Sequence, residues 1–288
     1  MKQHTIIRIL FTCFLIGTTN VAAQPQGHLV IIGGGSRTEK IMTKFVELSG
    51  GKSAKIVVFP MASGVPDESG PEHAQEIKEH GAGEAFSLKL TRRQAEMDSA
   101  LQLLNGVTGV FFTGGDQSRL TAALKGTKVE TWLHQFYQRG GVLAGTSAGA
   151  AVMSQIMITG DQRRPVADSS FNTIEAENII TSAGFGFIGD AIVDQHFVRR
   201  RRHNRLISLV LENPKLLGIG IDESTAIWVK PDHTFEVLGE SAVLVYDATK
   251  GKSQRDASGY FLRGEGMRLH VLRHGAIYDL RAKKVKRL

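Results

Sequence analysis

Short apolar runs alternate with helical stretches through the first half of the chain, and this alternation limits the fold more than any other feature. The runs lie at residues 29–32, 55–59, 107–112 and 141–144 and are rich in Val, Ile, Leu and Phe. Strands that are buried on both faces and separated by helices are typical of a parallel sheet. We therefore predict an α/β fold with a doubly wound, mostly parallel sheet between two layers of helices. Near the end of the chain, the polar stretch 249–258 predicts a surface loop and the basic run 283–287 a solvated tail.

Length and composition are consistent with this architecture. The chain has 288 residues, of which 42% are hydrophobic and 22% charged, and it contains 32 glycines. These values suit a folded domain with a large core rather than a disordered or fibrous chain. Two small domains would also fit the length, but no repeat or linker divides the sequence. We predict one domain over residues 24–288, and no run beyond residue 25 approaches the ~20 apolar residues that cross a membrane.

The first 23 residues have the pattern of a signal peptide. Lys2 and Arg8 supply positive charge, residues 9–16 are a short apolar stretch, and Val21, Ala22 and Ala23 are small enough for a cleavage site. We expect cleavage after Ala23 and export to the periplasm or the medium. The alternative is an uncleaved anchor.

Cleavage there would change the chemistry open to the chain. The mature protein would have 265 residues and a formal charge of +5 instead of +7, and it would lose Cys13, the only cysteine. A chain without cysteine has no disulfide, no thiolate metal site and no cysteine nucleophile. We therefore expect any nucleophile to be a hydroxyl group.

The most informative segment is G-T-S-A-G at residues 145–149. It follows an apolar strand and precedes a predicted helix at 150–156, as in the elbow that lifts a catalytic serine above a sheet. Ser147 is the candidate nucleophile, and the Ala148 amide is a candidate oxyanion donor at the helix start. A plain glycine-rich turn is the alternative. A phosphate-binding loop is disfavoured because no G-K-[ST] lysine follows.

A serine nucleophile needs a base, and that base needs an orienting group. His196 follows the short apolar strand 191–193, which should bring it to the same sheet edge as Ser147. Asp222 and Glu223 end another apolar strand, where an unpaired carboxylate would be costly to bury. The residues themselves do not choose between these two carboxylates.

Four motifs in order carry a resemblance to a known family: F-F-T-G-G-D-Q, G-T-S-A-G-A, D-Q-H-F followed by arginines, and G-I-D-E-S-T-A. Over residues 28–245 the chain resembles the cyanophycinases and their serine-peptidase relatives, including aspartyl dipeptidases. The resemblance implies a flavodoxin-like fold similar to that of class I glutamine amidotransferases. It also implies a triad of Ser147, His196 and Glu223, with neither a metal nor an organic cofactor.

The same resemblance assigns further roles. The Gly115 amide would be a second oxyanion donor, and Asp116 stands where the family usually has asparagine. The substrate-binding residues that it implies are Gln117, Asp194, Arg200, Arg202 and Arg205. Arginines suit this role because guanidinium groups bind carboxylates, and every unit of cyanophycin keeps a free carboxylate.

Arg199 and Arg201 depart from the family pattern, which usually has glutamine and glycine there. An arginine run alone could indicate nucleic acid, acidic lipid or a solvated helix face. A substrate role is favoured because the run begins three residues after His196 and has no accompanying aromatic stacking pattern.

The sequence thus predicts an exported serine peptidase that hydrolyses cyanophycin to β-Asp-Arg dipeptides. One alternative is an aspartyl or isoaspartyl dipeptidase with the same triad, and another is a non-catalytic binder of acidic polymers. A glutaminase is excluded because it would need a cysteine. We expect no nucleic-acid partner and no membrane association after processing, and the resemblance suggests a homodimer.

Overall fold

A computed structural model describes residues 24–164 and 171–288. The predicted signal peptide, residues 1–23, lies outside the described residues. No helix in the described part of the chain is long and apolar enough to cross a membrane.

The described residues form seventeen strands. In chain order they are β1 (His28–Ile32), β2 (Lys55–Phe59), β3 (Glu84–Ser87), β4 (Gly109–Phe112), β5 (Val142–Thr146), β6 (Ile156–Gln162), β7 (Ile179–Ala183), β8 (Ala191–Gln195), β9 (Leu217–Ile221), β10 (Thr225–Val229), β11 (Thr234–Gly239), β12 (Val243–Asp247), β13 (Lys252–Arg255), β14 (Leu262–Glu265), β15 (Arg268–Leu272), β16 (Ile277–Asp279) and β17 (Lys284–Arg287).

The helices are shorter in total and fall mainly in the first half. They are α1 (Glu39–Leu48), α2 (Pro66–Glu79), α3 (Arg92–Ala95), α4 (Asp98–Leu103), α5 (Gln117–Leu124), α6 (Lys128–Gln138), α7 (Ala148–Ala151) and α8 (His203–Glu212).

The main sheet has nine strands in the order β17-β16-β11-β10-β1-β5-β4-β2-β3. The five strands from β1 to β3 in this order are parallel to one another, whereas β10, β11, β16 and β17 extend the sheet in antiparallel pairs. The apolar runs predicted four of these parallel strands, β1, β2, β4 and β5, but not the edge strand β3. The four are buried on both faces, which explains why they lack polar alternation, whereas β3 is partly exposed.

Two hydrophobic cores cover the two faces of this sheet. On one face, Val30 and Ile32 of β1 pack in a core with Phe45 of α1 and Ile77 of α2. On the other face, alternate residues of the same strand belong to a core that includes side chains from α5 and α6. The mostly parallel α/β fold with helices on both faces is thereby confirmed.

A second sheet covers part of the latter face, which the sequence did not predict. Its order is β15-β12-β9-β8, and Val193, Ile219 and Val245 from its strands belong to the same core as the main sheet. The opposite face of this sheet packs against Leu206 and Leu209 of α8 in a third core. The fold therefore has a sheet where a simple three-layer arrangement would place only helices.

Three local predictions were wrong. The helix expected at 150–156 is the single turn α7, because the chain leaves it to form β6. The expected surface loop at 249–258 contains β13, which pairs with β14 as a hairpin. The expected solvated tail at 283–287 contains β17, which pairs with β16 and closes one edge of the main sheet. Polar exposed strands such as these carry no apolar run from which to predict them.

Candidate active site

Ser147 lies on a sharp turn between β5 and α7. Its backbone has φ 53° and ψ −109°, a conformation that residues other than glycine rarely adopt. The flanking glycines make this turn sterically feasible: a Cβ on Gly145 would meet the backbone of Gly149, and a Cβ on Gly149 would lie 2.8 Å from the carbonyl carbon of Phe112. The Ser147 amide donates to the carbonyl of Ile32 at 3.0 Å, which fixes the turn against β1.

Three side chains from distant segments form one continuous hydrogen-bonded row. The Ser147 Oγ lies 2.9 Å from the His196 Nε2. The His196 Nδ1 lies 2.6 Å from the Glu223 Oε1. A carboxylate accepts hydrogen bonds, so Nδ1 carries the ring proton and Nε2 presents its lone pair to the Ser147 hydroxyl. The row has the geometry of a nucleophile, a base and an orienting acid.

The sheet edge predicted for His196 was wrong, although the residue still reaches Ser147. His196 follows β8 and Glu223 follows β9, both in the four-stranded sheet, whereas Ser147 follows β5 of the main sheet. The candidate site is therefore at the junction of two sheets. Both sheets present strand ends there because β9 leads through Glu223 directly into β10 of the main sheet.

The end of β1 holds all three segments together, a role that the sequence did not reveal. The carbonyl of Ile32 accepts from Ser147 at 3.0 Å, that of Gly33 accepts from His196 at 2.7 Å, and that of Gly34 accepts from Ser224 at 2.9 Å. Three successive carbonyls thus position the serine, the histidine and the residue after Glu223. The sequence signal for this role is the run Gly33-Gly34-Gly35, which lacks the full spacing of a dinucleotide-binding loop.

The glycines of that run allow close approach of the site residues. Gly34 has φ 103°, and a Cβ there would lie 2.9 Å from the His196 Nδ1 and closer to other atoms of the same ring. Gly35 has φ 68°, and a Cβ there would lie 2.8 Å from the Cβ of Glu223. A side chain at either position would displace the imidazole or the carboxylate.

The surroundings of His196 favour its neutral form. Burial lowers its pKa below 6.5, and the positive charges of Arg200 and Arg202 lower it further, whereas the hydrogen bond that its Nδ1 donates to Glu223 raises it. A base must be unprotonated to accept the serine proton, so this shift extends the pH range in which His196 can act.

The amides of Ala148 and Gly115 are the candidate oxyanion donors. Ala148 is the first residue of α7, directly after Ser147, and Gly114 approaches so closely that a Cβ on it would lie 3.4 Å from the Ser147 Cβ. Among the described hydrogen bonds, neither the Ala148 amide nor the Gly115 amide has an acceptor. Both amides are therefore free to donate to a ligand.

Gln117 does not present its amide group to the cleft. Its Nε2 donates to the carbonyls of Ile158 and Thr159 at 2.8 and 2.5 Å, and the side chain is buried. It therefore links α5 to β6, and its Nε2 is engaged by the protein instead of being offered to a substrate. Asp116 is the N-cap of α5, where its Oδ1 accepts from the Ser118 amide at 2.8 Å. Asparagine is equally suited to this position, so the departure from the family pattern leaves the cap intact.

Asp194 and Arg205 form a buried ion pair instead of lining the cleft. The Arg205 Nε donates to the Asp194 Oδ2 at 2.6 Å, its Nη2 donates to Oδ1, and the guanidinium also lies over the ring of Phe171. Asp194 is fully buried and Arg205 is 1% exposed. Removing one partner of such a pair typically costs about 3–5 kcal/mol. The pair anchors α8 to the end of β8, two residues before His196.

Of the other four arginines in the run 199–205, one is hydrogen-bonded within the protein and three are exposed. The Arg202 Nη1 donates to the backbone and side-chain oxygens of Gln195 at 2.8 and 2.9 Å, and burial lowers the pKa of Arg202 to about 10. Arg199, Arg200 and Arg201 are exposed. Of the arginines with an implied substrate role, Arg200 alone has a freely accessible side chain.

Asp222 has a structural position distinct from that of Glu223. Its Oδ1 accepts from the Arg199 amide at 2.8 Å and its Oδ2 accepts from the Ser241 hydroxyl at 2.6 Å. These bonds hold the turn that follows His196. The structure therefore places Glu223, and not Asp222, beside the imidazole.

A cleft of about 290 Å³ lies beside Ser147. Its walls comprise Gly34, Gly35, Arg37, Ser63, Ser69, His73, Thr113, Gly114, Thr146, Ser147 and His196. A larger cavity of about 810 Å³ lies between the β6–β7 and β13–β14 hairpins and contains none of the three residues of the row. In the described residues no group of three or more His, Asp, Glu or Cys side chains is arranged to hold a metal ion.

Comparison with known proteins places this chain in a family. The chain matches the family model for peptidase family S51 over residues 29–237. The cyanophycinase of Synechococcus elongatus is 36% identical to it over 93% of this chain and 84% of that protein. The cyanophycinase of Trichormus variabilis is 35% identical over 89% of this chain and 87% of that protein.

Solved structures show the same fold. A peptidase from an acI-B1 Actinobacterium has a TM-score of 0.63 and 22% identity, covering 89% of this chain and 98% of that chain. A putative peptidase E from Listeria monocytogenes EGD-e has a TM-score of 0.53 and 15% identity, covering 75% of this chain and 99% of that chain. From the family match and the identity to curated members, the chain belongs to peptidase family S51 and is a serine peptidase.

Proposed function

We propose that this protein hydrolyses cyanophycin, the polymer in which each backbone aspartate carries an arginine on its side-chain carboxyl. The observation that carries the proposal is the row from Ser147 through His196 to Glu223, with distances of 2.9 and 2.6 Å. Relatives that are 34–36% identical are cyanophycinases. The substrate class is taken from those relatives, and the chemistry from the site.

In the proposed reaction Ser147 attacks the backbone carbonyl of a polymer unit. Its proton passes from Oγ to the Nε2 of His196, while the Nδ1 proton remains hydrogen-bonded to Glu223, which stabilises the imidazolium. The amides of Ala148 and Gly115 donate to the tetrahedral oxyanion. His196 then gives its proton to the leaving amine, and water attacks the acyl-enzyme by the same route in reverse. The product that we propose is the β-Asp-Arg dipeptide, released from a chain end.

Among the arginines with an implied substrate role, Arg200 is exposed and lies four residues after His196. We propose that it attracts carboxylates of the polymer toward the cleft. Arg202 and Arg205, together with Asp194, act through position: they fix Gln195 and the end of β8. We also propose that residues 1–23 direct export and are then removed, so that the enzyme meets polymer outside the cytoplasm.

Replacing Ser147 with alanine tests the mechanism. Purified Ser147→Ala protein should release no dipeptide from cyanophycin granules, as measured by mass spectrometry of the soluble products. Its melting temperature should stay close to that of the unsubstituted protein, since the hydroxyl contacts only His196 among the described hydrogen bonds. Ser182→Ala, an exposed serine on β7, is the matched control and should retain full activity.

Turnover retained in Ser147→Ala would remove this residue from the mechanism. The choice of substrate is tested separately, by comparing the unsubstituted protein on granules and on short Asp-X peptides. Faster hydrolysis of the short peptides would identify an aspartyl dipeptidase instead of a cyanophycinase.

A further inference from the structure

The cleft wall that faces Ser147 carries polar groups which the proposed mechanism does not use. Arg37, Ser69 and His73 line the cleft together with Ser147 and His196. Ser69, His73 and Glu76 follow one another at intervals of four and three residues along α2, so they share one face of this helix. Arg37 comes from the segment before α1 and lies against the same face.

Glu76 fixes the orientation of Arg37. The Nε of Arg37 donates to both carboxylate oxygens of Glu76 at 3.0 Å, and its Nη2 donates to Oε2 at 2.7 Å. The two side chains are 24% and 25% exposed. Glu76 does not line the cleft, whereas Arg37 does. The remaining nitrogen, Nη1, has no hydrogen-bond partner in the described residues, so a pre-oriented cationic donor borders the cleft.

Ser69 supplies a second free donor. Its Oγ is buried and has no hydrogen-bond partner in the described residues. A buried hydroxyl without a partner lowers the stability of a fold, and such groups are rare in native proteins. A ligand oxygen in the cleft would satisfy it.

His73 supplies an acceptor at the same place. Its Nδ1 lies 2.6 Å from the Ser69 carbonyl oxygen, which only accepts, so Nδ1 carries the proton. Burial lowers the pKa of His73, and the Arg37 charge lowers it further, which keeps the ring neutral. Nε2 is then a lone-pair acceptor, and no hydrogen bond engages it in the described part of the chain.

Two donors beside one acceptor match a specific chemical group. The arginine side unit of cyanophycin has an isopeptide N–H on the carbon atom that also bears the free carboxylate. We propose that Arg37 and Ser69 bind this carboxylate while His73 accepts the neighbouring N–H, so that the three residues form a specificity subsite for the arginine carboxylate. The identity of the ligand rests on the proposed function, whereas the subsite itself rests on the hydrogen bonds and free polar atoms of these three side chains.

Binding without turnover tests the subsite. In Ser147→Ala protein, calorimetry would compare β-aspartyl-arginine with β-aspartyl-agmatine, which lacks only the arginine carboxylate. We expect the first ligand to bind about 10-fold to 100-fold more tightly, the range for a charge-assisted hydrogen bond. Adding Arg37→Gln or Ser69→Ala should remove most of this ratio and leave the affinity for the agmatine ligand unchanged. β-Aspartyl-arginine methylated on the isopeptide nitrogen should bind about 10-fold more weakly, because it has no N–H for His73.

Two controls separate binding from folding. Arg255→Gln removes another guanidinium that is held by a glutamate, Glu177, and should leave the ratio intact. Ser69→Ala should not lower the melting temperature, because its hydroxyl has no partner to lose in the described residues. Equal affinity for the arginine and agmatine ligands, or a ratio unchanged by Ser69→Ala and Arg37→Gln, would overturn the subsite. Failure of the unsubstituted enzyme to hydrolyse cyanophycin would instead count against the proposed function, and the binding ratio would still decide the subsite.

Discussion

Two of the three residues in the hydrogen-bonded row have unusual backbone conformations. Ser147 has φ 53° and His196 has φ 49°, in a region that costs residues other than glycine about 1–3 kcal/mol each. Their amides donate to neighbouring carbonyls at the end of β1, which hold both residues in place. In these conformations the Ser147 hydroxyl lies 2.9 Å from the His196 Nε2, so the geometry is set before substrate binds.

The pH dependence of activity should report the surroundings of His196. Activity requires the neutral ring, and the pKa is lowered, so kcat/KM should be constant at high pH and fall as the pH drops through that lowered pKa. Arg200→Gln removes a positive charge that lowers this pKa. The acid limb of the profile should therefore move to higher pH, and the movement should be smaller at high salt because Arg200 is exposed.

Arg139→Gln is the control for this measurement, since Arg139 is exposed at the end of α6. It should leave the acid limb where it is. An acid limb that stays in place in Arg200→Gln, or moves to lower pH, would show that the Arg200 charge does not reach the base.

The sequence was informative about individual residues where local pattern and chemistry coincide. Ser147 could be selected because glycines flank it between a strand and a helix start, and His196 because it follows an apolar strand. No local feature separated Asp222 from Glu223, because they are adjacent carboxylates. Which of them faces His196 depends on how the chain turns after β9. The burial of Asp194 and Arg205 was equally hidden, because an ion pair between β8 and α8 depends on tertiary packing.

Among the structural elements, the end of β1 contacts all three segments that carry the site. The carbonyls of Ile32, Gly33 and Gly34 receive the amides of three separate segments, and two of the three following glycine positions have positive φ. A strand end with no side chains lets the serine, imidazole and carboxylate converge within hydrogen-bond distance. The site therefore depends on backbone packing as much as on its own side chains.

Gly34→Ala tests whether close packing at the end of β1 positions the imidazole, and a control glycine separates this packing from ordinary backbone strain. The new Cβ would collide with the His196 ring, so we expect activity to fall at least about 100-fold, the loss typical of a displacement of about 1 Å at a reacting group. Gly81→Ala is the matched control: Gly81 has φ 99°, close to the 103° of Gly34, and a Cβ there meets nothing within 4 Å.

Both variants should lose about 1–2 kcal/mol from left-handed strain, measured by chemical denaturation. Gly34→Ala should lose more, because its Cβ also collides with the imidazole. Only Gly34→Ala should also lose activity in the dipeptide-release assay. Equal activities in the two variants would mean that close packing at Gly34 does not position the imidazole.

Elements that are buried on both faces could be predicted, and exposed ones could not. The parallel strands β1, β2, β4 and β5 are near-continuous apolar runs, whereas β3, the β13–β14 hairpin and β17 are more polar and exposed. The strands β8 and β9 were predicted as strands, but their place in a separate sheet was not. Local sequence specifies that a segment is extended; which strand it pairs with is decided by distant partners.

At the scale of the whole molecule, two sheets share one core and meet at the candidate site. Side chains of β1, β8, β9 and β12 belong to that core. The base and the acid are carried by one sheet and the nucleophile by the other, so the packing between the sheets sets the alignment of the row.

The proposed export predicts a defined mature chain. Expression of the complete sequence in a bacterial host should yield a protein whose first residue is Gln24, recovered from the periplasm or the medium. Intact-mass measurement and N-terminal sequencing would check this outcome. The control carries charged residues in place of the apolar stretch 9–16 and should remain unprocessed inside the cell. A full-length chain that retains Met1 and stays with the membrane would instead identify an uncleaved anchor.

The central claim is that Ser147 is a nucleophile activated by His196. The most direct test is labelling with a serine-directed fluorophosphonate, followed by peptide mass spectrometry. The predicted result is a single label on Ser147, absent in Ser147→Ala and strongly reduced in His196→Ala with the fold retained. No labelling of the folded protein, labelling of another serine, or labelling of Ser147 at the same rate without His196 would contradict the claim.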